Sequence, residues 1–206
     1  QITGSSGSVL GAGVQTDGSP GVSGTLTARA TQTTAVHGQN LSGGDQNFSA
    51  QAIDLAASQT VARQFSATAG NGDINLAHAN IAIDQTFGTD AGQTLRTDDA
   101  NIAAGQIRIR ARDLSNVQGE IAQTGDGDLT LNLSGHLDNS GGTLAADGAT
   151  TLTTGALTNR GGTIQTTGSP LSDLAILATG ILDNNRGNIF AAGNAAVSGD
   201  TLDNTQ

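Results

Sequence analysis

Apolar residues come in short bursts, alternate with polar ones, and are cut off by Gly, Asn or Asp. Around residue 160 the pattern is plain. Leu152 and Leu157 flank Thr153, Thr154 and Gly155, the chain turns through Arg160-Gly161-Gly162, and it resumes as Thr163-Ile164-Gln165-Thr166 before Gly168. Period-two alternation broken by Gly predicts short strands, each half-buried. Helix is disfavoured, because Gly recurs and Thr, Asn, Ser and Asp prefer turns and caps to helix interiors.

The bursts keep a register. Leu, then Ser/Thr/Asp, then Asn, two free positions, Gly, one free position and Ile/Leu recurs as LSNVQGEI from Leu114, LDNSGGTL from Leu137, LTNRGGTI from Leu157 and LDNNRGNI from Leu182. A fifth copy, LDNTQ from Leu202, is cut by the chain end, so the chain is expected to be an excerpt of a longer protein. Asn116, Asn139, Asn159, Asn184 and Asn204 are spaced 23, 20, 25 and 20 residues apart. A period of about 20 residues, rich in Gly and β-branched residues, predicts a solenoid. One coil cannot bury its own apolar face; stacked coils bury it on each other, about 4.8 Å apart. Roughly ten coils make an all-β rod about 45–50 Å long.

Three apolar columns follow, and with them a roughly triangular cross-section. The first is Leu114, Leu137, Leu157, Leu182 and Leu202; the second is Ile121, Leu144, Ile164 and Ile189. A less regular third contains Ile109, Leu152 and Val197, each seven residues before its Asn. The Asn column is expected to form an amide ladder, since Asn bonds locally at turns and stacked copies bond along the axis. The Gly three residues later (Gly119, Gly142, Gly162, Gly187) is expected to take a positive φ where a Cβ would clash. The longer intervals place insertions near Gly125-Asp126-Gly127-Asp128 and in a corner loop at 167–173.

The earlier half is less regular. Ile53 and Ile74 lie 21 apart, and Phe48-Ser49-Ala50 and Phe65-Ser66-Ala67 lie 17 apart. Three regions result: a Gly/Ser-rich start at 1–24, loose or disordered; degenerate coils at 25–94; regular coils at 95–206.

Composition narrows the chemistry. With four Phe and no Trp or Tyr among 206 residues, the core must be thin and aliphatic. The net charge is -10 and every one of the eight cations is Arg, which argues against nucleic acid and anionic membranes as partners. Without Cys there is no disulfide, thiolate metal site or redox chemistry; this also suits export through an oxidising periplasm. No apolar run approaches the roughly 18 residues of a membrane helix, so no membrane insertion is expected. No signal peptide is visible and the chain does not begin with Met.

The octet and the phrase HLDNSGGTLAADGATTLTTGALTNRGGTIQT, from His136 to Thr166, resemble the repeats of filamentous haemagglutinins. These are large exoproteins of bacterial two-partner secretion, a class that includes contact-dependent growth-inhibition proteins. The resemblance is good over 95–206 and loose before it. It implies a right-handed parallel β-helix, secreted through an outer-membrane transporter and forming a rod on the bacterial cell surface. It also implies roles in adhesion to a host or target-cell receptor or glycan, or in presenting a toxin tip to other cells.

Few residues stand out as site candidates. Arg108, Arg110 and Arg112 alternate with Ile107, Ile109 and Ala111 and form one outward strip. The strip is a candidate binding surface for acidic glycans, or a partner for Asp98 and Asp99 on a neighbouring coil; a solvated face with local ion pairs is the plainer reading. Gly70-Asn71-Gly72-Asp73 and Gly125-Asp126-Gly127-Asp128 look like calcium loops but lack the carboxylates that calcium needs and read as turns. His37, His78 and His136 show no metal-ligand spacing. Asn40, Asn47 and Asn132 head N-x-S triplets, the glycosylation pattern, in a chain where Asn and Ser make such triplets common. No cofactor, metal or catalytic residue is expected. The rival readings are a receptor- or glycan-binding module within the rod and a polysaccharide-degrading β-helix enzyme. The latter needs clustered, tuned carboxylates, and no pair recurs in a cleft-like register. An ice-binding face is set aside because the Thr residues hold no single column.

Overall fold

The computed structural model describes residues 1–169 and 171–205; Pro170, in the expected corner loop, and Gln206 lie outside the described residues. Among the described residues there are 25 strands and no helix. All strand pairs are parallel, and an isolated antiparallel bridge joins Val14 to Pro20 in the first coil. The chain is a parallel β-solenoid, as the repeat requires.

A ten-stranded sheet forms one side. Its central residues stack as Ile53, Ile74, Leu95, Leu114, Leu137, Leu157, Leu182 and Leu202. The expected Leu column therefore runs back through the irregular half, where Thr34 takes the same position below Ile53. From Ile53 to Leu182 these side chains are at most 1% exposed, whereas Leu202, with no strand stacked beyond it in this sheet, is 52% exposed. The expected ten coils become ten stacked strands but fewer regular turns. Ile2 is separated from Thr34 by a 32-residue coil, and eight turns of 19 to 25 residues follow.

A 15-stranded sheet supplies the other two sides. Between residues 59 and 111 its strands are long: Gln59–Ala69, Asn80–Ala91 and Asn101–Ala111. Later coils break each into two, such as Glu120–Gln123 with Leu129–Leu133, or Thr143–Ala146 with Thr150–Thr154. The inserted residues sit at these breaks, at 124–128 and 167–173, with one more in Ser134-Gly135 and in Thr179-Gly180. That extra residue explains why the third column is less regular. It runs Ile109, Leu131, Leu152, Ile176, Val197, so Leu131 and Ile176 stand eight residues before their Asn, not seven.

The core is thin, as the missing aromatics require. Its largest side chains, Phe48, Phe65 and Phe87, are all buried in the earlier half. Phe65 and Phe87 share a column and stack with ring centroids 5.1 Å apart and planes 6° apart. Phe48 pairs with Ala67 and Phe65 with Gln46, so the 17-residue spacing of the two Phe triplets is not the stacking register; the rings meet across columns at 5.8 Å.

Candidate functional site

The octet builds a corner. After each Leu strand the chain turns inward at Asn, and the Asn side chains stack. Asn116, Asn139 and Asn159 are fully buried and Asn184 is 4% exposed. The Nδ2 of Asn116 donates to Oδ1 of Asn139 at 2.7 Å, Asn139 to Asn159 at 2.7 Å, Asn159 to Asn184 at 2.6 Å, and Asn184 to Asn204 at 2.6 Å. The same Nδ2 atoms donate to the carbonyls of Gly119, Gly142, Gly162 and Gly187 at 3.2–3.3 Å. Each amide thus ties two coils together and closes its own turn. All dipoles in the row point the same way, so each bond polarises the next.

Sequence reasoning missed where the ladder starts. Thr97, fully buried, holds the Asn position one coil earlier, and its hydroxyl donates to Oδ1 of Asn116 at 2.8 Å. Below it the same position is hydrocarbon: Val36, Leu55 and Leu76. The only available signal was a hydroxyl residue found by counting one coil back from Asn116.

The glycine expectation divides in two. A Cβ at Gly142 would lie 2.1 Å from the Asn116 carbonyl oxygen, and one at Gly162 2.1 Å from that of Asn139; both would also crowd the ladder amides. The positive φ, however, falls one residue earlier, at Gln118 (56°), Gly141 (65°), Gly161 (62°) and Arg186 (56°), and at Ala57, His78 and Asp99 in the earlier coils. Gly119, Gly142, Gly162 and Gly187 are needed for space, not for backbone handedness. Where hydrocarbon or Thr97 fills the corner, the matching positions carry a Cβ, as Ser58, Ala79 and Ala100.

The octet's second position caps the turn from outside. Asp138, Asp183 and Asp203 each accept a bond from the backbone N–H two residues on, at 3.0, 3.0 and 3.2 Å. The Asn185 amide, with Arg160 at 2.6 Å on the neighbouring coil, holds the Asp183 carboxyl below its usual range. Burial pushes Asp113 up, but the His136 amide and Arg112 outweigh it and its carboxyl also sits low.

Arg108, Arg110 and Arg112 are exposed and alternate with buried Ile107, Ile109 and Ala111. They do not pair with Asp98 or Asp99, which lie at the turn of the ten-stranded side. Asp98 accepts from Ser115 and the Val117 amide and lies 3.6 Å from Arg96; Asp99 faces His78. Arg112 instead binds Asp113 at 2.8 Å and Gln93, and Arg108 binds Gln106.

The other candidates disperse. His37 meets Asp54 and His136 meets Thr158, far apart on the rod. Asp73 and Asp128 each accept a backbone amide of the next coil. Among the described residues no three His, Cys, Asp or Glu gather as metal ligands, and no helix is long and apolar enough to cross a membrane. Asn40 is fully buried and bonded to Thr60, so it cannot take a sugar in the folded rod; Asn132 is exposed and Asn47 half-buried.

No family model matches the chain, and no solved structure matches it. A curated protein named Toxin CdiA, from Yersinia pestis, is 39% identical over 203 residues, covering 95% of this chain and 6% of that protein. The chain thus spans a small fraction of the length of the relative it matches. With the octet in register and the parallel solenoid it builds, this match over nearly the whole chain supports the resemblance to the repeat regions of two-partner-secretion exoproteins of the contact-dependent growth-inhibition type.

Proposed function

We propose that this segment is a non-catalytic rod section of a secreted exoprotein on the bacterial cell surface, carrying adhesive or toxin-delivery regions to other cells. The observation that carries this reading is the unbroken parallel stack from Thr34 to Leu202, tied coil to coil from Asn116 onward by the amide row. A stack gains reach in proportion to coil number, about 4.8 Å per coil. An outer-membrane transporter of two-partner secretion exports it, and a receptor or glycan on the target cell meets it.

Enzymatic turnover fits less well. A general acid near neutral pH needs a carboxyl pushed up, whereas the carboxyls of Asp113 and Asp183 are held down by their amide and arginine partners. Turnover of an acidic polysaccharide by the chain would overturn the non-catalytic reading. The rod reading is tested by removing residues 34–201 in frame from the full exoprotein, which preserves coil register. Tomography of the cell surface should show the projection shortened by about 38 Å, eight steps of about 4.8 Å, with export intact. An unchanged projection length contradicts the rod. A second reading, a glycan-binding module within the rod, is favoured by the arginine strip.

A further inference from the structure

We propose that a groove beside Arg110 binds a saccharide carrying one carboxylate next to free hydroxyls. This rests on the glycan-binding reading of the strip and goes beyond the rod reading, which stands on length alone. The three arginines are not equivalent. Arg108 is held by Gln106 at 2.8 Å, and Arg112 by Asp113 at 2.8 Å and Gln93 at 3.2 Å. Arg110 has no hydrogen-bond or ion-pair partner among the described residues. It lines an open groove of about 480 Å³ whose other polar lining includes Asp90, Arg112, Asn132, Ser134 and Thr153.

The register sets the order of these groups. Asp90, Arg110, Asn132 and Thr153 are consecutive partners along the axis, one per coil, at steps of about 4.8 Å. An uncommitted guanidinium matches a carboxylate with two parallel N–H donors. Asp90, one step away, is acceptor-only when ionised, so it takes hydroxyl donors and repels a second anion. Asn132, Ser134 and Thr153 donate and accept, as a ring of sugar hydroxyls requires.

The same arrangement selects against two other ligand classes. A long polyanion finds only one coil of cations: the neighbours of Arg108 along the axis are Gly88 and Thr130, those of Arg110 are Asp90 and Asn132, and the chain carries a net charge of -10. A neutral sugar leaves the guanidinium unmatched, and no aromatic residue lines the groove to stack on a sugar face.

The test uses the 206-residue chain and two probes, the methyl glycoside of glucuronic acid and methyl glucoside, which differ in carboxylate against hydroxymethyl. Binding is read from the ¹H–¹⁵N signal of the Arg110 Nε–H. The glucuronoside should shift this signal saturably and the glucoside should bind at least tenfold more weakly. Arg110→Gln should weaken glucuronoside binding at least tenfold, followed through the Asn132 side-chain amide, and Asp90→Asn about threefold. Arg108→Gln should stay within twofold. All three substitutions are on the surface, so an unchanged Tm shows that the fold is kept. Equal losses in Arg108→Gln and Arg110→Gln mean non-specific charge attraction and overturn the proposal, as do equal affinity for the two probes or no saturable shift. Any of these leaves the rod reading untouched.

Discussion

Between Val36 and Leu76 the corner after each central strand is filled with hydrocarbon; from Asn116 to Asn204 the same corner is filled with amide. The backbone hardly differs, and the left-handed residue falls at the same place in both halves, Ala57 and His78 in one, Gln118 and Gly161 in the other. What differs is the coupling between positions. A hydrocarbon corner tolerates a Cβ three residues on, at Ser58 and Ala79. An amide corner draws the turn's carbonyl onto its own Nδ2 and leaves room only for Gly. Asn and Gly are therefore one device, and Thr97 is the joint at which the rod passes from one chemistry to the other.

The largest expected effect breaks the feature that both halves share. Leu157→Asp buries an unpaired carboxylate in the central column and should cost about 5 kcal/mol. An unchanged Tm would remove the inward Leu column. Asn159→Leu should separate the halves. It fills the corner with hydrocarbon but takes from the Nδ2 of Asn139 its partner on the next coil, leaving the bond to Gly142, and orphans the Oδ1 of Asn184, for about 3 kcal/mol by chemical denaturation. A loss under about 0.5 kcal/mol would make the ladder ornamental. Gly162→Ala should cost about 2–3 kcal/mol through overpacking against fixed backbone, while Ala100→Gly, in the turn that Thr97 fills, costs about 1. Equal costs would contradict the coupling of Asn to Gly. Thr97→Val keeps the shape but removes the ladder's first donor, and should cost about 1 kcal/mol.

The smallest effect is the pH dependence. The carboxyls of Asp113 and Asp183 are lowered in the folded chain, so their stabilisation is complete above the ordinary carboxylate range, about pH 4, and is lost as pH falls through their folded values. Tm should fall on acidification, and Asp183→Asn should flatten that slope slightly. A steeper slope in the variant would contradict the assignment.

The octet half was legible because each column repeats one chemistry, Leu on Leu and Asn on Asn. The earlier half belongs to the same stack but hides it, since polar residues take inward positions that Leu, Ile or Phe hold elsewhere. Thr34 stands in the Leu column, Asn40 and Thr60 in the Ile column, and Gln46 opposite Phe65. The Oδ1 of Asn40 and the Oε1 of Gln46 are buried without a partner among the described residues. The φ expectation missed by one residue because the left-handed site is held by Gln118 and Arg186 as well as by glycines, so composition does not mark it. Ion pairing was illegible for another reason. Arg112 reaches Asp113, its own neighbour at the corner, and the alternation that placed the arginines outward says nothing of where their long side chains lie.

Both halves form one continuous parallel stack. The chain has no Cys, so paired spin labels can be placed cleanly at Ser49 and Ser198, both exposed and in one outward column through Thr68, Asp90, Arg110, Asn132, Thr153 and Leu177. Seven steps of about 4.8 Å give a single narrow distance distribution near 34 Å. A distribution centred below about 20 Å, or one broad enough to show that the two halves are not stacked on a common axis, would contradict a single stack.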